Sequence, residues 1–277
     1  MKTISFKNFW SGFDYTQHSA FNWIVDIYKL NVVKNNADIV VYCTFGDYID
    51  DSYSHTKVFF TGEQIKPDLS IYDFSFSFEH MDNPRNFRFP LYLWHHENYF
   101  SLKTRPQKNW AIEKTKFCNF LYGNGNESMD GVKKRIWFFK ELQKYKHIDS
   151  AGLVCNNTGY RIPEDKKVEW LKDYKFTIAF ENQQHSGYTT EKLIQPLIAG
   201  SLPIYYGNNT VYKDFNTKSF INTHDYNNLE EVISKIIELD SDDDSYNHIM
   251  NHPVLLEPLP EWTSKNWYIN CWDKIIK

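Results

Sequence analysis

Short apolar runs alternate along the chain with stretches whose hydrophobic positions recur at helical spacing. Residues 3–6 form the first run, which predicts a strand. Ser19 is placed to cap a helix over residues 21–28, with Ile24, Ile27 and Tyr28 on one face. Residues 37–43 and 57–61 are short and rich in β-branched and aromatic side chains, as buried parallel strands are. Residues 72–78, Tyr-Asp-Phe-Ser-Phe-Ser-Phe, alternate strictly and predict a half-buried strand. The pattern dissolves over residues 98–116, where Lys103, Arg105, Pro106, Lys108 and Lys114 predict a polar linker. It resumes with a strand at 117–122 and a helix at 133–145, whose turns are marked by Ile136, Phe139, Lys140 and Gln143. A strand at 176–180, a helix at 191–199 and a strand at 202–206 follow. Asn228 and Glu231 fit a capping box ahead of Val232, Ile233, Ile236 and Ile237. Residues 262–276 gather Tyr268, Trp272, Ile275 and Ile276 on one helical face, which predicts core packing rather than contact with a membrane.

Strands alternating with helices in both halves predict two α/β units, each around a mostly parallel sheet. Such sheets bind ligands beyond the carboxyl ends of their strands, and two units would naturally hold them in a cleft between.

The 277 residues suffice for one large domain or two ordinary ones, and the apolar fraction of 42% for a real core. A net charge of −4 argues against nucleic acid as a partner. Cys43, Cys118, Cys155 and Cys271 lie far apart, in no zinc or disulfide spacing, and suit a reducing compartment. The first ten residues lack a signal-peptide apolar core, and no stretch nears the ~20 apolar residues of a membrane span. A cytoplasmic protein with no transmembrane segment is the expectation, with peripheral contact at the inner membrane face left open.

Candidate chemistry centres on Gly187-Tyr-Thr-Thr-Glu-Lys192. A helix start favours carboxylates and disfavours cations, so Lys192 either points into water or helps to hold an anion. Strand–loop–helix order puts Asn182, Tyr188, Glu191 and Lys192 at one sheet's carboxyl edge. Spacing alone leaves both readings open. No Walker lysine motif or G-x-G-x-x-G occurs. His95-His96-Glu97 offers no metal site, since adjacent histidines on an extended segment point apart and no further ligand cluster follows. The acidic run at 240–244 reads as a solvated loop.

Four blocks then occur in order: residues 174–182 (Tyr-Lys-Phe-Thr-Ile-Ala-Phe-Glu-Asn), 187–192, 199–207 (Ala-Gly-Ser-Leu-Pro-Ile-Tyr-Tyr-Gly) and 213–222 (Lys-Asp-Phe-Asn-Thr-Lys-Ser-Phe-Ile-Asn). Together they resemble the donor-binding signature of the α-1,3/4-fucosyltransferases, glycosyltransferase family 10. Phe59-Phe-Thr-Gly-Glu63 resembles the family's acceptor-side motif. The resemblance implies an α/β, GT-B architecture: two Rossmann-like domains facing across a cleft. Residues 1–110 would form the acceptor-side domain, and residues 111–277 the GDP-sugar-binding domain with a C-terminal helix. It implies an inverting transfer of L-fucose from GDP-β-L-fucose to an N-acetylglucosamine-containing glycan, with α-1,3 or α-1,4 linkage.

By the same resemblance Lys192 and Arg135 would contact the donor pyrophosphate. Without it, Arg135 in Lys133-Lys134-Arg135 reads as a surface arginine. Asn182, Tyr188 and Glu191 match positions that bind ribose, pyrophosphate or sugar, and Glu63 matches the general base. His95 and His96 would line the acceptor side. No metal or other cofactor is implied, although a divalent ion can stimulate by binding GDP. Gln64 stands where bacterial members are expected to carry Asn, and their heptad repeats and basic tail are not seen; nor are the cysteine pairs of animal members. Two alternatives stay open: a transferase of the same family using another GDP-deoxysugar, and a non-catalytic glycan-binding protein on this scaffold. The joint presence of Glu63, Arg135 and Lys192 argues against the second.

Overall fold

All the ladders between named strands are parallel, in a chain that divides into two units, Met1–Glu97 with Leu259–Lys277, and Asn98–Pro258. The computed structural model describes residues 1–94 and 96–277, apart from the side chains of His96 and Glu97.

The first unit is built on β1 (Thr3–Lys7), β2 (Asn31–Val32), β3 (Ile39–Tyr42), β4 (Thr56–Phe60), β5 (Phe74–Ser77) and β6 (Asn86–Arg88), in the order β2-β1-β3-β4-β5-β6. Helix α1 (Ser19–Tyr28) buries Ala20, Phe21 and Ile24, while Ile27 is 45% exposed. The apolar stripe thus differs from the expected face, and His18, not Ser19, precedes the helix as its cap residue. Strand β5 is also not half-buried. Ser75 and Ser77 are enclosed, and both hydroxyls donate to Asn86 Oδ1 at 2.8 Å. The polar alternation marks an internal hydrogen-bond ladder rather than a wet face.

The second unit carries β7 (Lys116–Phe120), β8 (Ile148–Ser150), β9 (Tyr174–Phe180), β10 (Leu202–Tyr206) and β11 (Ile221–Asn222), in the order β11-β10-β9-β7-β8. Its helices are α2 (His96–Ser101, which starts at the boundary), α3 (Asp130–Leu142), α4 (Lys167–Leu171), α5 (Glu191–Ala199), α6 (Leu229–Ser241) and α7 (Asp243–Met250). Apolar residues of α3, α6 and α7 pack with β7, β9 and β10 into one core that includes Phe120, Ile136, Phe176, Ile178, Ile236 and Tyr246.

Four further expectations need correction. The closing helix α8 (Lys265–Ile276) belongs to the first unit: Trp272 stacks on Phe76 at 5.1 Å, and Tyr268 lies 4.6 Å from Phe89. The boundary falls at residues 97/98 rather than 110/111, and 98–116 is no solvated linker. Tyr99, Leu102 and Trp110 are buried there; Arg105 lies 4.6 Å over the Trp110 ring, whose Nε1 donates to Asn251. The acidic run is structured too. Asp242 caps α7, and Lys175 pairs with Asp243 at 2.8 Å.

Strand order reverses between β7 and β9 in the second sheet and between β1 and β3 in the first, because successive connections leave these strand pairs in opposite directions. Crevices at such switch points are where open α/β sheets take ligands. Among the described residues, no helix is long and apolar enough to cross a membrane.

Candidate functional site

The β7/β9 switch point collects most of the sequence candidates. Strand β9 is buried throughout and ends at Phe180, so the next two side chains, Glu181 and Asn182, emerge at its carboxyl edge. Helix α3 approaches this edge closely. A Cβ on Gly131 would lie 2.2 Å from the Glu181 carbonyl oxygen, so only glycine fits. One turn further, Arg135 reaches under the strand end.

Arg135 is fully buried. Its Nη1 donates to Asn182 Oδ1 at 2.8 Å and to the Phe180 carbonyl at 3.3 Å, and Nη2 donates to the Asn124 carbonyl at 2.6 Å. The guanidinium sits 3.9 Å over the Tyr122 ring. The surface-arginine reading is therefore wrong. All its hydrogen-bond partners are neutral, and among the described residues Nε has none. Burial pulls its pKa below the ordinary arginine value, against Tyr122 and Glu181. A buried cation without a bonded carboxylate is costly and suits an anion.

The second cation comes from α5. Thr190 is its cap, and the Thr190 hydroxyl accepts from the Lys192 backbone N–H. Lys192 does not point freely into water. Its ammonium lies 3.3 Å from Glu181, 3.1 Å from Glu191 and 3.2 Å from the Thr190 hydroxyl. Glu181 is fully buried and accepts from Thr190 N at 2.9 Å and Thr190 Oγ1 at 2.8 Å. Burial pushes the Glu181 carboxyl upward, while Lys192 opposes the rise. Burial would lower the Lys192 ammonium, but Glu181 and Glu191 hold it above its ordinary value. Burial would likewise raise Glu191, yet Lys192 holds it low.

Arg135, Asn182, Glu191 and Lys192 line one pocket, with Tyr122 and Asn124. Tyr188 is buried in the preceding loop, near enough for its phenol to act on Lys192. Two side chains that sequence reasoning passed over organise this site: Glu181, the counter-ion of Lys192, and Tyr122, the platform of Arg135. A carboxylate directly after the apolar run Ile178-Ala179-Phe180 was the available signal for the first. Tyr122 carried none beyond its place after β7.

Glu63 belongs to the other unit. It is exposed in the turn after β4, and its backbone N–H donates to Thr61 Oγ1 at 2.9 Å. A Cβ on Gly62 before it would come 2.6 Å from Leu91 Cδ1, so the Leu91 side chain would have to shift to admit one. His95 and the side chain of His96 lie outside the described residues. Among the described residues, no group of three or more His, Cys, Asp or Glu could hold a metal ion.

Residues 92–254 match the family model "Glycosyltransferase family 10 (fucosyltransferase) C-term", and residues 4–95 match "Alpha-(1,3)-fucosyltransferase FucT N-terminal domain". The chain is 34% identical over 224 residues to the alpha-(1,3)-fucosyltransferase FucT of Helicobacter pylori, covering 70% of this chain and 46% of that one. A putative fucosyltransferase of Acanthamoeba polyphaga mimivirus is 36% identical over 166 residues, 56% of this chain and 27% of that one. The chain thus spans half or less of these relatives' lengths. A crystal structure of an alpha1,3-fucosyltransferase with GDP-fucose superposes with a TM-score of 0.82 at 24% identity, over 100% of this chain and 90% of that one. That likeness establishes a GT-B-like fold of two Rossmann-like units. On the match of both family models the chain belongs to glycosyltransferase family 10, the fucosyltransferases.

Proposed function

We propose that the protein is an inverting fucosyltransferase that moves L-fucose from GDP-β-L-fucose to a hydroxyl of an N-acetylglucosamine-containing glycan, in α-1,3 or α-1,4 linkage. The observation that carries this reading is the meeting of Arg135 and Lys192, both cationic and largely enclosed, in one pocket at the β7/β9 switch point. Departure of GDP concentrates negative charge on the pyrophosphate, and two preorganised cations beside a helix N-terminus stabilise it. Asn182, Tyr188 and Glu191 serve the ribose, the phosphates or the sugar. The acceptor hydroxyl is a poor nucleophile, so a carboxylate takes its proton as the new bond forms, and Glu63 fills that role. Relatives named alpha-(1,3)-fucosyltransferase and the structure solved with GDP-fucose support this assignment.

The test is to incubate isotope-labelled GDP-fucose with a panel of oligosaccharides, and to repeat it with other GDP-deoxysugars. Transfer of label to N-acetyllactosamine-type acceptors with release of GDP is expected. Preferential use of another GDP-deoxysugar would reassign the donor, and glycan binding without GDP release would make the protein a lectin.

A further inference from the structure

The switch point of the first sheet lies between β1 and β3, and the segments leaving these strands meet there. After β1 comes Trp10, which is half-buried; after β3 come Phe45, 52% exposed, and Tyr48, 58% exposed. The Trp10 and Phe45 rings stand 5.7 Å apart, edge to face. Trp10 is backed by the buried Trp94, at 6.1 Å in a stacked arrangement. Asn8 ties the two segments together. It adopts a left-handed φ of 58°, its carbonyl accepts from Phe45 N at 2.9 Å, and its side-chain amide donates to the Tyr48 carbonyl at 2.8 Å. Aromatic side chains held outward by such a staple are arranged in advance for a flat apolar ligand face.

Glu63 is next to them. Thr44, one residue before Phe45, has its hydroxyl 3.4 Å from that of Thr61, which in turn accepts from Glu63 N at 2.9 Å. On the other side, Trp94 packs 3.2 Å from the Cβ position of Gly62. The aromatic rings therefore flank the turn that carries Glu63, the side chain assigned above to the acceptor hydroxyl.

We propose that Phe45, buttressed edge to face by Trp10, is a stacking platform for the acceptor's pyranose ring, taking its C–H face while its hydroxyl edge is turned to Glu63. The platform rests on the transferase reading for its role, but its sugar binding can be measured without turnover. Phe45 is exposed, so Phe45→Ala leaves the core intact. Saturation-transfer NMR with N-acetyllactosamine should show ring C–H contacts in the wild type that are lost in Phe45→Ala and kept in Phe45→Trp. Acceptor KM should rise on the order of tenfold in Phe45→Ala, as loss of an aromatic contact predicts. Donor KM and GDP affinity should stay unchanged. Unaltered sugar contacts and acceptor KM, an equal change in both substrates, or a dimer that Phe45→Ala disperses would each overturn the platform. Phe45-dependent sugar binding without any transfer would instead overturn the transferase reading and leave the platform standing.

Discussion

Glu181 and Lys192 form an ion pair at 3.3 Å in which the carboxylate is fully buried and the ammonium reaches the pocket at the β7/β9 switch point. The carboxylate also holds the cap of α5 through Thr190, so one buried charge fixes both the start of the helix and its lysine.

Removing Lys192 leaves Glu181 buried without its cation, whereas removing the Glu181 charge still leaves Lys192 paired with Glu191 at 3.1 Å. Lys192→Ala should lower unfolding free energy by about 3 kcal/mol, the usual scale for breaking a buried pair, and weaken GDP binding roughly tenfold or more, through the lost charge-assisted contact. Glu181→Gln, which keeps an acceptor for Thr190, should cost less than Lys192→Ala. Urea unfolding with and without GDP measures both. Wild-type stability together with wild-type GDP affinity in Lys192→Ala would return that lysine to a solvent role.

Arg135 makes directed hydrogen bonds to Asn124, Phe180 and Asn182 from a planar group over Tyr122. A lysine ammonium cannot reproduce that fork. Arg135→Lys should therefore reduce GDP affinity by roughly tenfold despite conserving charge. Titration calorimetry reads this directly, with UDP as the comparison nucleotide; equal binding of GDP and UDP by the wild type would remove the guanine assignment.

Glu63→Gln keeps shape and removes basicity. Turnover should fall by about 10²–10⁴-fold, the range of a general base. GDP affinity should hardly move, because the nucleotide is assigned to the other unit. Near-wild-type turnover in this variant would falsify the role given to Glu63.

The proposed function assigns Arg135, Lys192 and the start of α5 to the leaving group, and on that assignment transfer is expected to continue in EDTA, with divalent ions raising the rate by binding GDP. Complete loss of activity in EDTA that only added metal restores would contradict this.

Lys114 gives a pH signature of stability. Burial lowers its ammonium to about 8, Glu113 opposes the shift, and Lys108 and Arg105 add to it. Between that value and the ordinary lysine pKa of about 10.4 the unfolded chain holds the extra proton, so this residue makes stability rise with pH there. Lys114→Met should be more stable than the wild type near neutral pH, and the difference should shrink toward about pH 10. A pH-independent difference in urea midpoints would show that the ammonium is not penalised by burial.

The sequence by itself determined what neighbours along the chain decide. Helix α5 (Glu191–Ala199) and strand β10 (Leu202–Tyr206) fall where the apolar spacing along the chain places them. The alternation of strands and helices established two parallel α/β units, and the ordered motif blocks pointed to the family. Tertiary structure alone decided what depends on residues far apart in the chain. Trp272 and Tyr268 look the same in either domain; the aromatic surface of Phe76 and Phe89 assigns them to the first. Polar residues at 98–116 read as a linker until Asn247 and Asn251 satisfy the Ala111, Lys108 and Trp110 donors. Ser75 and Ser77 look solvent-facing until Asn86 accepts both hydroxyls. Arg135 looks like a surface cation until the end of β9 closes over it. Burial and charge compensation are properties of a place in space, and periodicity along a chain records only the neighbours a residue has along its own helix or strand.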